Sequence, residues 1–165
     1  MAKLEAEIAR LIREYQAKTG KLLTIGAVES ATGGRIADRI TNVPGSSDYF
    51  KGSVVAYSNE VKIALLGVKK ATLEIYGAVS EQTALEMARG GRKLLDVDIC
   101  VSDTGIAGPS GATPEKPVGL FYLGLAARDE SLSQKHAFPG DREETKRDAA
   151  EAVLNMLKQW LKTRV

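Results

Sequence analysis

Three short apolar runs, each followed by a helical segment, restrict the folds open to this chain. Consecutive apolar residues predict buried strands at 22–28, 53–57 and 97–104. Strands that alternate with helices are typical of an α/β fold with a largely parallel sheet. Only three residues separate two further apolar segments, 118–127 and 131–138, which predicts an antiparallel hairpin. We therefore predict a three-layer α/β sandwich with a mixed, mostly parallel sheet and helices on both faces.

The helices are predicted from apolar periodicity, capping residues and glycine breakers. The predicted helices are 4–19, 33–41, 60–66, 81–95 and 143–162. Asn59 is expected to cap the third helix and Ser80 the fourth, where Leu85, Ala88 and Leu94 would point inward. The adjacent Gly90-Gly91 disfavours a helix and indicates close packing or a kink. Residues 68–79 combine apolar and polar side chains, and we predict mainly loop there.

Composition excludes several classes of protein. The 165 residues suffice for one domain with a hydrophobic core, and a net charge of +2 does not indicate a nucleic-acid or membrane partner. No apolar run reaches membrane-spanning length, and the first residues lack a signal-peptide pattern. The single cysteine, Cys100, allows no internal disulfide and predicts a reducing, cytoplasmic location. One histidine and one cysteine make no zinc site, whereas a carboxylate magnesium site stays open.

One turn stands between the first predicted strand and its helix. Its sequence is Glu29-Ser30-Ala31-Thr32-Gly33-Gly34-Arg35. The hydroxyls of Ser30 and Thr32 would lie where the strand ends, and free N–H groups at the helix start favour negative charge. A nucleophile beside such donors suits acyl transfer, with N–H groups near residues 32–34 stabilising the oxyanion. The alternative interpretation is a serine cap followed by a glycine turn.

A second polar segment, Tyr57-Ser58-Asn59-Glu60-Val61-Lys62, spans the end of the next strand and the start of its helix. Parallel strands would bring Ser30, Tyr57 and Thr104 to the same rim of the sheet. Burial and the positive end of the helix would both lower the pKa of Lys62 toward that of a general base. The phenol of Tyr57 would relay or orient the proton. The alternative is a solvated surface lysine and a core tyrosine.

A long glycine-rich loop follows the third predicted strand. Its glycines fall at 105, 108 and 111, which matches neither the phosphate-binding Walker A loop nor the dinucleotide fingerprint G-x-G-x-x-G. The loop could still cradle a phosphate through backbone N–H groups, and the alternative is a flexible connector. Arg142, at the start of the last helix, could grip a phosphate with two N–H groups, or be an ordinary surface arginine.

Taken together, these motifs resemble the family of the CinA carboxyl-terminal domain, which includes nicotinamide mononucleotide deamidases. The matching segments are 29–34, 57–62, 104–109, 116–119 and 140–142, in family order. Two positions depart from the common pattern. Many members have cysteine where this chain has Ala31, and glycine where this chain has Ser110. Longer members carry a preceding molybdopterin-binding-like domain. Only one predicted helix precedes the first strand here, so we expect a single domain over 1–165, the stand-alone form.

The resemblance implies an amidohydrolase that converts nicotinamide mononucleotide and water to nicotinate mononucleotide and ammonia. The implied catalytic residues are Ser30, Tyr57 and Lys62. The expected substrate-binding residues are Ala31, Thr32, Gly33, Gly34, Thr104, Gly105, Gly108 and Arg142. We expect no metal and no other cofactor. Two routes stay open, attack by Ser30 through an acyl-enzyme or attack by a water that Ser30 positions.

Two other classes of function stay open at this point. A nucleotide-binding module would bind a mononucleotide without turnover. A competence- or DNA-repair-associated interaction protein is the second class, because the family contains members without an established activity. The near-neutral charge and the lack of aromatic–basic clusters argue against direct nucleic-acid contact. The resemblance also implies a homo-oligomer, and nothing in the sequence indicates a membrane partner.

Overall fold

The computed structural model describes residues 3–165. In chain order the elements are α1 (Leu4–Thr19), β1 (Ile25–Glu29), α2 (Arg35–Thr41), a 3₁₀ turn (Ser46–Asp48), β2 (Phe50–Val55), α3 (Asn59–Leu66), α4 (Lys70–Tyr76), α5 (Glu81–Leu95), β3 (Ile99–Gly105), β4 (Leu120–Ala126), β5 (Ser131–Ala137) and α6 (Arg142–Lys162). None of the helices within 3–165 combines the length and apolar character needed to cross a membrane.

The five strands form one mixed sheet in the order β2-β1-β3-β4-β5. The central strand β1 pairs in parallel with both β2 and β3, and the hairpin of β4 and β5 adds two antiparallel pairings. Parallel strands need crossover connections, and helices provide them here. The predicted α/β class and the antiparallel hairpin are confirmed.

Helices cover both faces of the sheet, as predicted. On one face α1, α2 and α6 form the larger core, in which Ile12, Ile36 and Leu157 are fully buried. On the other face α3, α4 and α5 cover a smaller cluster around Val28 and Met87. β1 and β3 are buried on both faces, so their sequences show no alternation of apolar and polar residues.

Residues 68–79 were predicted as loop, and this prediction is wrong because α4 lies there. A residue of α5 stabilises this helix. The Glu86 carboxylate accepts from the Lys69 N–H at 2.8 Å and from the Thr72 hydroxyl at 2.7 Å. Val68 is buried and Leu73 packs against the smaller cluster. Tertiary contacts therefore stabilise a seven-residue helix that its local sequence does not predict.

Three finer predictions also need correction. The cap of α3 is Ser58, whose hydroxyl accepts from the Val61 N–H at 3.2 Å, and not Asn59, which begins the helix. Leu94 is 48% exposed and does not point inward, whereas Ala88 is buried as predicted. β2 ends at Val55, so Tyr57 lies two residues beyond the strand.

The glycine pair of α5 is required by close packing. A Cβ on Gly90 would lie 1.7 Å from the backbone oxygen of Leu66 at the end of α3, and one on Gly91 would lie 2.4 Å from Val28 Cγ1. Backbone atoms of α3 cannot move away as the end of a flexible side chain can. The pair thus lets α5 approach both α3 and β1, so the close-packing interpretation is confirmed.

We therefore expect Gly90→Ala to destabilise the protein by about 2 kcal/mol or more, although Gly→Ala within an ordinary helix stabilises it. Urea unfolding followed by circular dichroism measures this change in the free energy of unfolding. Lys93→Ala, on the exposed side of the same helix, is the matched control and should stay within about 0.5 kcal/mol of the wild type. A Gly90→Ala protein more stable than the wild type would contradict the packing explanation.

Candidate active site

The carboxyl ends of the parallel strands border a cavity of about 220 Å³. Ser30 follows β1 directly, Thr104 lies near the end of β3, and the segment after β2 leads into α3. Eight of the predicted site residues line this cavity: Ser30, Ala31, Tyr57, Lys62, Thr104, Gly105, Gly108 and Arg142. The sheet topology thus brings together residues that are far apart in the sequence, at the rim where ligands bind in such folds.

The amine of Lys62 lies beside the hydroxyl of Ser30, with 2.9 Å between Nζ and Oγ. The side chain of Lys62 is 1% exposed, and its Nζ also contacts the backbone oxygens of Ala56 at 2.9 Å and Tyr57 at 3.0 Å. Burial lowers the pKa of Lys62 below its ordinary value of 10.5, while the nearby Asp103 opposes this change. A nucleophile and a potential general base are therefore in hydrogen-bond contact.

Two backbone carbonyl oxygens set the orientation of the Lys62 amine. A carbonyl oxygen only accepts hydrogen bonds, so two N–H groups of Lys62 point to Ala56 and Tyr57. In the neutral amine the remaining position at Nζ is the lone pair, and it faces Ser30 Oγ. The Ser30 O–H can then donate to Nζ, which is the arrangement that proton abstraction requires.

A buried glutamate holds the turn that carries Ser30. Glu29 is fully buried, and its carboxylate accepts from the N–H groups of Gly34 at 3.1 Å, Ile36 at 2.9 Å and Ala37 at 3.1 Å. These are donors at the first turn of α2, where negative charge is favoured. Glu29 therefore caps α2 and fixes the turn between β1 and this helix.

A second buried carboxylate, Asp103 of β3, holds the same turn from the neighbouring strand. It accepts from the Ser30 N–H at 3.0 Å and from the Thr32 N–H at 3.1 Å. Burial raises the pKa of Asp103 to about 6. Asp103 was not among the site residues predicted from the sequence. The signal was present, because an aspartate inside a strand of otherwise buried residues needs a hydrogen-bonding role.

The N–H groups near residues 32–34 were predicted to stabilise an oxyanion, and the structure contradicts this. Thr32 N–H donates to Asp103, Gly34 N–H donates to Glu29, and Gly33 N–H donates to the backbone oxygen of Ser30. These three residues do not line the cavity. The Ala31 N–H, in contrast, makes no hydrogen bond to any residue from 3 to 165, and Ala31 does line it. The backbone donor next to the nucleophile is thus the available one.

Tyr57 and Arg142 form one rim of the cavity. The Tyr57 side chain is 60% exposed, and its hydroxyl accepts from Arg142 Nη2 at 2.9 Å. The other guanidinium nitrogen, Nη1, donates to the backbone oxygen of Gly108 at 2.8 Å. The phenol was expected to relay or orient the proton, and this role stays a prediction. In the structure the phenol contacts Arg142, and the contact of Tyr57 with Lys62 is through the backbone oxygen.

Two glycines of the 105–111 loop, Gly105 and Gly108, are explained first by packing. A Cβ on Gly105 would lie 2.3 Å from a ring carbon of Phe121, and one on Gly108 would lie 2.5 Å from a methyl carbon of Val118. The hydroxyl of Thr104 donates to the backbone oxygen of Ala78 at 2.7 Å. These residues shape the cavity wall, and a contact between them and a substrate stays a prediction.

Two further observations concern the rest of the molecule. Within residues 3–165 there is no group of three or more histidine, cysteine, aspartate or glutamate side chains that could hold a metal ion. A larger cavity, of about 520 Å³, lies at the opposite end of the parallel strands and includes Asp98, Arg128 and Trp160. It contains none of the predicted site residues.

Comparison with known proteins identifies relatives over nearly the whole chain. A family model described as the CinA C-terminal domain matches residues 2–161. A CinA-like protein of Thermotoga neapolitana is 46% identical over 162 residues, which are 98% of this chain and 38% of that protein. A CinA-like protein of Kosmotoga olearia is 49% identical over 96% of this chain and 37% of its own length. The chain therefore spans less than two fifths of these relatives.

Solved structures show the same fold. The crystal structure of a competence/damage inducible protein, CihA, from Agrobacterium tumefaciens has a TM-score of 0.87 and 36% identity, covering 98% of this chain and 97% of that one. A CinA superfamily protein from Klebsiella pneumoniae has a TM-score of 0.88 and 27% identity, covering 98% and 99%. The arrangement of strands and helices described above is thus found in crystal structures of similar proteins.

Proposed function

The chain belongs to the CinA C-terminal domain family, and we propose that it is an amidohydrolase that converts nicotinamide mononucleotide and water to nicotinate mononucleotide and ammonia. The observation that carries this proposal is the contact of 2.9 Å between Ser30 Oγ and the buried Lys62 Nζ, in a cavity at the carboxyl ends of the strands. A serine activated by a neutral lysine is a known arrangement for acyl transfer. The choice of substrate rests on the resemblance of the motifs to deamidases.

The reaction would proceed in two halves. Ser30 Oγ attacks the carboxamide carbon while its proton passes to the Lys62 amine. The N–H of Ala31 donates to the oxyanion that develops on the carboxamide oxygen. Lys62 then returns the proton to the departing nitrogen, the C–N bond breaks, and ammonia leaves. Water, deprotonated by the same amine, hydrolyses the ester on Ser30 and releases the carboxylate product.

A variant of this route uses the same groups. In it Ser30 positions a water molecule, Lys62 takes the proton of that water, and no ester forms. Quenched single-turnover reactions analysed by mass spectrometry separate the two routes. A nicotinoyl mononucleotide adduct on Ser30 supports the acyl-enzyme, and its absence while ammonia is released supports direct attack by water.

Arg142 is the proposed ligand of the substrate phosphate. Its guanidinium lies at the cavity rim, held by the backbone oxygen of Gly108 and the Tyr57 hydroxyl, and it has no carboxylate partner within residues 3–165. A guanidinium can donate two parallel hydrogen bonds to a phosphate. This makes Arg142 the group that would distinguish a mononucleotide from free nicotinamide.

We expect Arg142→Gln to raise KM for nicotinamide mononucleotide about tenfold or more, because a hydrogen bond to a charged group contributes roughly 1.5–3 kcal/mol. The change in kcat should be small, since Arg142 does not contact Ser30 or Lys62. Steady-state ammonia release measures both constants. Arg147→Gln, an exposed arginine on the same helix, should leave KM unchanged. An unchanged KM in Arg142→Gln would remove this residue from phosphate binding.

The proposed activity is tested with purified protein and a panel of pyridine compounds. The panel is nicotinamide mononucleotide, nicotinamide riboside, nicotinamide and the dinucleotide NAD. We expect ammonia and nicotinate mononucleotide in equal amounts from the first compound and far slower release from those that lack the phosphate. Binding of the mononucleotide without ammonia would instead identify a nucleotide-binding module and overturn the proposed function.

A further inference from the structure

The Asp103 carboxylate spans the turn that carries Ser30. Its Oδ1 accepts from the Ser30 N–H at 3.0 Å, and its Oδ2 accepts from the Thr32 N–H at 3.1 Å. The Thr32 hydroxyl contacts Oδ1 as well, at 2.5 Å, and both Asp103 and Thr32 are completely buried. The two oxygens of one side chain therefore fix the peptide groups on either side of the one that carries the Ala31 N–H.

The peptide group between Ser30 and Ala31 is fixed on its carbonyl side. The Ser30 backbone oxygen accepts from the Gly33 N–H at 3.2 Å. In a trans peptide group the N–H points away from the C=O, so the Ala31 N–H points away from Gly33. It has no acceptor within residues 3–165, and Ala31 lines the cavity. The turn thus leaves one N–H available, between two N–H groups that the same carboxylate occupies.

We propose that Asp103, as a carboxylate, is a positioning residue that fixes the Ala31 N–H as the oxyanion donor and places a negative charge behind Lys62. This inference rests on the proposed function, because the Ala31 N–H has this use only where an oxyanion forms next to Ser30. Asp103 does not line the cavity, so it acts through the turn and not on the substrate. A donor that is fixed before the reaction needs no reorganisation when the charge develops.

The position of Asp103 requires a carboxylate. An ionised carboxylate only accepts hydrogen bonds, so each of its oxygens can take one N–H of the turn. An amide has a single acceptor oxygen, and its NH₂ group would face the second N–H. Glu29 cannot replace Asp103, because its own oxygens already accept from three N–H groups at the start of α2 and from the Ser53 hydroxyl.

The charge of Asp103 also acts on Lys62. The titratable groups that face Asp103 are Glu29 from β1 and Lys62 from α3, and Lys146 from α6 approaches the turn at Gly33. Burial raises the pKa of Asp103 to about 6, so Asp103 is ionised at neutral and higher pH. Burial lowers the pKa of Lys62, and the negative charge of Asp103 opposes this change. Asp103 and burial together therefore set the pH at which Lys62 becomes an amine.

Asp103→Asn tests the proposal through ammonia release from nicotinamide mononucleotide. We expect kcat to fall about 10²-fold, the lower end of the effect of losing one oxyanion donor, with little change in KM. The acid limb of kcat/KM should move to lower pH, because removing the negative charge lowers the pKa of Lys62. A purely structural role would not move this limb. A kcat within threefold of the wild-type value, or an acid limb that stays at the wild-type pH, overturns the proposal.

Asp98→Asn is the matched control. Asp98 lies just before β3, and its carboxylate accepts from the Thr24 N–H at 2.9 Å, so this change also removes a carboxylate that binds a backbone N–H. Asp98 borders the cavity at the opposite end of the parallel strands and has no contact with the Ser30 turn. Both kcat and the acid limb should equal those of the wild type.

Amide hydrogen exchange of the wild-type protein, followed by NMR without substrate, decides the case if Asp103→Asn does not fold. The N–H groups of Ser30 and Thr32 should be protected by Asp103, and the Ala31 N–H should exchange at least about tenfold faster. An Ala31 N–H as protected as its two neighbours overturns the proposal. Absence of ammonia from every pyridine compound, with this exchange pattern intact, would refute the proposed function and not the contacts of Asp103 with the turn.

Discussion

Ser30→Ala is expected to lower kcat for ammonia release from nicotinamide mononucleotide by about 10³-fold or more, because it removes the attacking oxygen. The fold should survive, since the only hydrogen bond of the Ser30 side chain within residues 3–165 is to Lys62. The backbone N–H of residue 30 keeps its bond to Asp103. The unfolding temperature and the kinetic constants are measured on the same preparation.

Ser47→Ala, at an exposed serine outside the cavity, is the control for this change and should retain the wild-type rate. KM separates chemistry from binding in this experiment. A Ser30→Ala protein with unchanged KM and much reduced kcat has lost a group that acts in the transition state. Retention of more than a tenth of the wild-type kcat would show that Ser30 neither attacks the substrate nor positions the attacking water.

Lys62→Met should lower kcat/KM by at least ~10²-fold, the usual size for the loss of a general base. Methionine approximates the length of the lysine stem, so the buried position stays filled. Removing an amine with a large burial penalty should leave the free energy of unfolding close to that of the wild type. Lys62→Arg should be equally inactive, because a guanidinium remains charged and cannot accept the proton.

Lys70→Met, at the exposed start of α4, is the control and should behave as the wild type. The two lysines differ in burial, with Lys62 1% exposed, and only Lys62 contacts Ser30. Ammonia release within threefold of the wild-type rate in Lys62→Met would exclude this amine from the reaction. A large loss of rate counts as catalytic only in a Lys62→Met protein that unfolds at the wild-type temperature.

The strands, the antiparallel hairpin and the edge that carries the site could be predicted from the sequence. Apolar runs identify β1 and β3 because both faces of these strands are buried. Parallel strands bring their carboxyl ends to one rim, so the proximity of Ser30 and Lys62 follows from topology. Their roles in catalysis stay predictions, as does every substrate contact.

The remaining features depend on contacts between distant parts of the chain. Asp103 reaches the Ser30 turn because β3 pairs with β1 in a register that sets Val28 opposite Ser102, and no local pattern reveals that register. The same carboxylate occupies the Thr32 N–H, which from the sequence looked like an oxyanion donor. The α4 helix was missed for the same reason, since Glu86 of α5 holds its first turn.

The pH dependence of kcat/KM for the wild-type protein tests most directly whether a buried, uncharged Lys62 is the base. The rate should rise tenfold per pH unit while Lys62 is protonated and become constant once it is an amine. Burial lowers the pKa of Lys62 from 10.5, so we predict that the rate becomes constant at a pH below 10.5. A rate that still climbs tenfold per unit up to pH 10.5 would show an ordinary lysine pKa and contradict the proposed mechanism.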